Sequence, residues 1–160
     1  MFKRILCATD GSEHGDRALR QAVRIALGSD GELHVAHVVE KMPGGGRMRG
    51  QNVHLTEFEI DSRIVRQTED LTHEQGITAV QVHIVPGGGH PARQLAELAD
   101  RIDADLIVLG TRGHSPLAGI VLGSVTQQLL HASCRPVLAV PPERGSRKRA
   151  ASAHAVASAA

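Results

Sequence analysis

Aromatic side chains are almost missing from this chain: two Phe, no Trp and no Tyr in 160 residues. A core built here is therefore aliphatic. The stacked aromatic platforms that bind single-stranded nucleic acid are excluded. Cysteine is scarce as well, with only Cys7 and Cys134. Two thiols without a secretory leader suit a reducing compartment, and the expected location is cytoplasmic. The opening "MFKRILCATDGS" has too short an apolar run for a signal peptide. No segment approaches the roughly 20 apolar residues of a membrane-spanning helix, so no membrane partner is expected. Charge of one sign is also lacking, the formal net charge being +1. The last residues, 142–160, hold four basic residues against one acidic. The rest of the chain then has 14 basic against 16 acidic residues, a body at −2 with no general attraction to phosphate polymers. No nucleic-acid partner is expected.

What is present is a regular alternation. Residues 2–9, "FKRILCAT", form a short apolar run closed by "DGS" and predict a strand. A helix follows, with Ser12 as N-cap, with Ala18, Leu19, Ala22, Ile25 and Ala26 on one face, and with Gly28 as terminator. "ELHVAHVV" (32–39) predicts a second strand, and residues 56–75 a second helix closed by Gly76. "TAVQVHIV" (78–85) alternates as a strand does. Pro91 suits the first turn of a third helix, which extends to about Ile102. "ADLIVLG" is almost wholly apolar, as a central parallel strand is. A last helix over 124–132 and a last strand, "RPVLAVP", complete the series. This order predicts an α/β fold, a parallel sheet with helices on both faces and right-handed crossovers. The folded domain is expected over 1–141, with 142–160 as a disordered basic and alanine-rich tail.

The informative stretch is "LIVLGTRGHSPLAGIVLGSVTQQLL", which begins as a strand and ends as a helix. Its spacing is G-x2-G-x9-G-S, with Gly110, Gly113, Gly123 and Ser124. Ligands of open α/β sheets bind beyond the carboxyl ends of the strands. Gly110 and Asp10 both stand at such ends and meet at one crevice if their strands are neighbours. Glycine at 110 and 113 admits positive φ and close backbone approach, and successive amides there can form an anion-binding nest. The amides of Ser124, Val125 and Thr126 open a helix, whose dipole favours negative charge. The Ser124 and Thr126 hydroxyls are expected to add donors. Two such elements suit a di- or triphosphate. No Walker lysine motif, G-x4-G-K-[ST], occurs, and Arg112 stands near. Mere turn chemistry in a glycine-rich loop is the competing reading.

The sequence resembles the universal stress protein family, and its ATP-binding branch, over roughly Met1 to Pro141. The resemblance rests on "ILCATDGS", on the run from "GHPARQL" to "RPVLAVP", and above all on the complete glycine motif. It implies a five-stranded parallel sheet in order 3-2-1-4-5, Rossmann-like and similar to the adenine nucleotide alpha hydrolases. It implies a site lined by Ala8, Thr9 and Asp10, with Asp10 near ribose, phosphates or a Mg²⁺ held through water. Val38 or Val39 would offer backbone groups to adenine. Leu109 and Gly110 would floor the pocket, and Arg112 and Gly113 would edge the ribose and phosphates. Gly123, Ser124, Val125 and Thr126 would hold the phosphate chain. It further implies a homodimer through the last strand, Pro136–Val140, whose apolar edge would seek a partner.

No catalytic base emerges. His114 is read as a bystander, so the function expected is a nucleotide-dependent stress-response regulator or sensor with slow hydrolysis at most. A nucleotide hydrolase or transferase on the same fold, and a protein-interaction module that has lost nucleotide, are the alternatives. Glycine-rich 41–54 could close over the pocket or be an ordinary loop, and Arg47 and Arg49 are read as solvated charges in preference to phosphate contacts. The ten histidines show no paired zinc spacing. His34 and His37 should face opposite sides of their strand and are read as packed side chains. Cys7 is read as a buried small hydrophobe and Cys134 as a loop thiol.

Overall fold

The computed structural model describes residues 1–39, 57–77, 80–111 and 122–142, with the side chains of 57–61 excepted. Strand β1 (Arg4–Ala8) leads into helix α1 (Glu13–Ser29), and β2 (Glu32–Val38) follows. After α2 (Glu57–Glu74) come β3 (Val80–Val85), α3 (Pro91–Arg101), β4 (Leu106–Gly110), α4 (Ser124–Ala132) and β5 (Val137–Val140). The strands form one parallel sheet in order β3-β2-β1-β4-β5, the order the resemblance implies. Positions 41–54, 112–121 and 143–160 lie outside the described residues. The expectations for the loop with Arg47 and Arg49, for Arg112, Gly113 and His114, and for the tail therefore have no structural counterpart.

Alternation along each strand divides the core in two. Ile5, Cys7, Leu33, Val35, Leu106 and Val108 face α1 and pack on Ala18, Leu19, Ala22, Val23 and Ala26, with Leu71 of α2 beside them. Leu6, Ala36, Ile107 and Leu109 face the other way, onto Leu95, Ala96, Leu98 and Ala99 of α3 and Leu129 of α4. Each fully buried Leu, Ile or Val contributes about 1.5–3 kcal/mol of transfer free energy. Small Ala residues on α1 and α3 let the helices approach the aliphatic sheet closely. Burial pushes the Cys7 thiol up to about 12, with the Asp16 carboxylate acting in the same direction, so this sulfur is inert. Cys134 is exposed and free.

Two local expectations fail. Helix α1 does not stop at Gly28; it continues to Ser29 and is capped by Asp30 in left-handed conformation, φ 49°, whose N–H bonds the carbonyls of Ala26 and Leu27. Asp tolerates that conformation better than most residues, and the Ser29 hydroxyl back-bonds to Ile25. Gly110 does not adopt positive φ either. It is the last residue of β4, paired with Val140, so its value lies in the missing side chain.

Candidate functional site

The carboxyl ends of β1 and β4 are adjacent, with Ala8 opposite Leu109. The strand adjacency that the sequence reading required for a crevice is thus present. On the β1 side the chain turns through Thr9, Asp10, Gly11 and Ser12. The Thr9 N–H donates to Ala36 at 2.9 Å, which extends the ladder one residue past the strand. The Thr9 carbonyl accepts from His37 Nδ1 at 3.0 Å, so that ring carries its proton on Nδ1. Gly11 has φ 74°, a conformation glycine enters without steric cost, and its N–H donates to Thr9 Oγ1. Asp10 Oδ1 accepts from the Ser12 N–H at 3.0 Å and from the Ser12 hydroxyl at 2.5 Å. This Asx turn fixes the carboxylate of Asp10. Ser12 Oγ in turn accepts from the Gly15 N–H at 3.2 Å and caps α1.

Gly15 explains itself through space, not torsion. A Cβ there would stand 2.6 Å from Thr9 Oγ1 and 3.0 Å from Asp10 Oδ1. One turn into the groove between α1 and α2, Gln67 Nε2 donates to both oxygens of Asp16 at 2.8 Å. Burial raises the Asp16 carboxyl above its ordinary range, and the Gln67 bonds oppose that. An open concavity of about 400 Å³ lies in this groove, lined by Asp16, Asp70, Arg63, Arg66, Gln67 and Leu71. Its charges balance one another and carry no ligand argument.

On the β4 side one bond extends the β4–β5 ladder and two dock the start of α4 to the sheet. The Thr111 N–H donates to Val140 at 2.9 Å, the Thr111 carbonyl accepts from the Gly123 N–H at 2.6 Å, and Thr126 Oγ1 donates to the Gly110 carbonyl at 2.9 Å. Gly123 is the N-cap and supplies no side-chain cap bond, and no acid stands in the first turn. The first bond of the helix runs from Gln127 N–H to the Gly123 carbonyl. The amides of Ser124, Val125 and Thr126 are left without intrahelical acceptors, as at any helix start. Thr126 is a correction to the sequence reading. Its side chain is buried and its hydroxyl proton is engaged by Gly110, so only its amide faces outward chemistry. Ser124 is exposed.

Ala8, Val38, Leu109 and Val125 all join the apolar cluster on the α3–α4 face, so four predicted site residues share one wall. The Val39 N–H is engaged by the Val85 carbonyl at 2.9 Å, which leaves carbonyl chemistry at that strand end. Among the described residues no group of three His, Cys, Asp or Glu could hold a metal ion by itself. A cation at Asp10 would need other ligands, and a carboxylate oriented by Ser12 fits the one- or two-carboxylate share that Mg²⁺ usually takes beside phosphates. His34 and His37 are both buried and point to opposite faces as expected, His34 toward His83 of β3 at 3.0 Å between ring nitrogens.

Sequence reasoning missed Thr111, Gly15 and the supporting role of His37. A glycine in the first turn of a well-capped helix costs helix stability, and that misfit was the available signal for close approach. Thr111 follows directly on an apolar strand, yet nothing in a single sequence separates it from ordinary turn polarity.

The universal stress protein family model matches residues 1–141. A universal stress protein of Methanocaldococcus jannaschii is 32% identical over 143 residues, 88% of this chain and 82% of that protein. Universal stress protein A homolog 1 of Coxiella burnetii is 33% identical over 142 residues, 87% of this chain and 96% of the relative. Among solved structures, a universal stress protein in complex with cAMP is 29% identical with a TM-score of 0.67, and the match covers 87% of this chain and 97% of that one. A universal stress protein from Archaeoglobus fulgidus is 26% identical with a TM-score of 0.67, covering 88% and 99%. On sequence and architecture together, the chain belongs to the universal stress protein family.

Proposed function

We propose that the crevice binds an adenine nucleotide, ATP foremost, and that the chain acts as a nucleotide-dependent regulator or sensor in a stress response. One observation carries the reading: α4 begins on a bare glycine, with no side-chain cap and no acid in its first turn, at the carboxyl end of β4. Its amides at Ser124, Val125 and Thr126, with the Ser124 hydroxyl, receive the phosphate chain. The aliphatic wall of Ala8, Val38, Leu109 and Val125 takes the adenine, which needs no aromatic partner. Thr9 lines the site, Gly110 floors it beside Leu109, and Val39 contributes its carbonyl side. Arg112 and Gly113 belong to the same assignment. The solved relative in complex with cAMP supports an adenine ligand for this fold.

Asp10 is the residue that would meet a phosphate-bound Mg²⁺ through water. The ion would supply charge neutralisation, since a carboxylate beside a triphosphate is otherwise repelled. Hydrolysis is slow in this reading because the nearby carboxylates are already held, Asp10 by Ser12 and Asp16 by Gln67. Neither is poised to activate water. The free thiols support a reducing, cytoplasmic setting, and 142–160 is read as a tail beyond the domain.

Calorimetry with Mg-ATP, ADP and AMP, and mass spectrometry of small molecules released from purified protein, test the assignment. Heat of binding and a released adenine nucleotide are expected. No heat and no released nucleotide would overturn it, and rapid multiple turnover of ATP would replace the sensor by an enzyme.

The same reading includes a two-fold homodimer through β5. Pro136 and Val140 direct their carbonyls to Ile107 and Thr111 of β4, so alternation turns the N–H of Val137 and Ala139 to the open edge. Leu138 packs on the α1-side core, and a charge there would test folding. Ala139→Pro removes an edge donor and leaves the β4 ladder intact. Sedimentation at micromolar protein should give a dimer for the wild type and a monomer for Ala139→Pro. A monomeric wild type, or a dimeric variant, would sink the assignment.

A further inference from the structure

Thr111 has both backbone groups engaged, its N–H by Val140 and its carbonyl by Gly123, yet its hydroxyl has no partner among the described residues. Oγ1 is buried and makes no hydrogen bond among the described residues, and the residue as a whole is only 8% exposed. Four other buried hydroxyls have partners. Thr126 donates to Gly110, Ser29 to Ile25, Thr72 to Thr68, and Thr9 accepts from Gly11. An unsatisfied hydroxyl costs stability, whereas a valine of the same shape would cost none. The orphan sits in a specific place. Continuing the alternation of β4 from Ile107 and Leu109, Thr111 belongs to the sheet face that α4 covers. Its 2.6 Å carbonyl contact with Gly123 puts it against the amino terminus of that helix, where the unpaired amides are.

We propose that the Thr111 hydroxyl is a ligand donor, completing with the α4 amides a pocket for a phosphoryl oxygen of the bound nucleotide. This rests on the nucleotide reading above and adds a residue to it. The amides of 124–126 fix a line of donors along the helix axis, and a hydroxyl from the strand end adds one from the sheet side. A phosphoryl group, with acceptors in several directions, satisfies both. A hydroxyl to a charged oxygen forms a stronger bond than one between neutral groups. The same hydroxyl gains nothing from adenosine, which has no phosphate.

The test compares wild type, Thr111→Val and Thr111→Ser by calorimetry with Mg-ATP, AMP and adenosine, with melting of each ligand-free protein. Thr111→Val should weaken ATP and AMP binding by about tenfold or more, leave adenosine affinity unchanged, and melt no lower than wild type without ligand. Thr111→Ser should restore most of the phosphate-dependent affinity. Equal ATP affinity in wild type and Thr111→Val would overturn the role of Thr111 and leave the nucleotide site standing. A ligand-free Thr111→Val that melts clearly below wild type would overturn it too, because the hydroxyl would then have a structural partner. A wild type silent toward every adenine nucleotide would remove the nucleotide reading and this role together.

Discussion

All four described helices begin at the carboxyl end of the parallel sheet, and the two that follow the adjacent strands β1 and β4 have opposite first turns. Helix α1 starts with Ser12, whose side chain caps Gly15, followed by Glu13 and Asp16 in the first turn. Its partial positive charge is answered from within the chain, and Asp10 is tied into the same knot. Helix α4 starts with Gly123, no cap bond and no acid. A nine-residue helix without a cap is marginal by itself. Here it persists because Leu129 is fully buried and because Gly123, Thr111, Gly110 and Thr126 are bonded to the strand end. Packing stabilises α4, so its amino terminus is free of that duty. The lesson is that a helix dipole stays open to an outside anion only where the sequence withholds the side chains that would otherwise satisfy it.

The sharpest way to break this contrast is to make α4 begin like α1. Ser124→Asp puts an acid in the first turn, where the dipole favours it by about 0.3–1 kcal/mol. The ligand-free protein should melt at the same temperature or slightly higher. A carboxylate about 4 Å from a phosphate charge costs about 4 kcal/mol at an effective dielectric of 20. Even with screening, ATP affinity should fall by about a hundredfold. Calorimetry beside thermal melts checks both signs at once. Unchanged affinity would mean that the phosphate does not lie on α4.

The second probe concerns α1. Gly15→Ala gains about 0.5–1 kcal/mol of helix propensity. Against that, the new methyl meets Thr9 Oγ1 at 2.6 Å and Asp10 Oδ1 at 3.0 Å. Thr9 is buried and bonded to Gly11, so it has no open direction to retreat, and overpacking costs about 1–3 kcal/mol. A net loss of about 1–2 kcal/mol is expected from urea unfolding at constant m. Any accompanying loss of nucleotide affinity should shrink when Mg²⁺ is omitted, because the displaced group is Asp10. A variant as stable as wild type would show that the α1 turn is looser than its geometry implies.

These two turns also mark what was legible in the sequence. Strand and helix order followed from periodicity, because a sheet covered on both faces demands apolar strands such as "LIVLG" between amphipathic helices. The N-cap at Ser12 and Pro91 at the start of α3 were legible because each is a local rule. The bare start of α4 was legible through Gly123 and Ser124. Four residues were not. Asp30 in place of Gly28 as the α1 cap reflects a choice between two tolerable residues, settled by where the chain must turn into β2. The inward bond of Thr126 depends on α4 docking over Gly110, a tertiary fact. Gly15 and Thr111 matter through neighbours in space, across turns whose geometry no spacing rule supplies. The strand order came from resemblance to a family, since periodicity alone does not say which strands adjoin.

A third probe leaves both helix starts untouched and has the smallest expected effect. His34 and His83 stack across β2 and β3 with ring centroids 5.2 Å apart. Burial lowers the pKa of each. The His83 charge lowers His34 further, with Arg4 acting alike and Glu32 opposing, its carboxylate 3.8 Å from His34 Nε2. Arg101 of α3 adds to the lowering at His83. The unfolded chain titrates these rings near the ordinary value of about 6.5. As pH falls through that value the unfolded state takes up protons first. The stabilising contribution is therefore complete above about pH 6.5 and is lost toward the lower folded-state values. The pair titrates as a unit. Melts at pH 7.5 and 5.5 should show a larger acid loss for wild type than for His83→Gln, and equal slopes would refute the assignment. Nucleotide affinity at pH 7.5 should be the same in both proteins. Acid sensitivity of binding that survives in His83→Gln then arises away from this histidine pair.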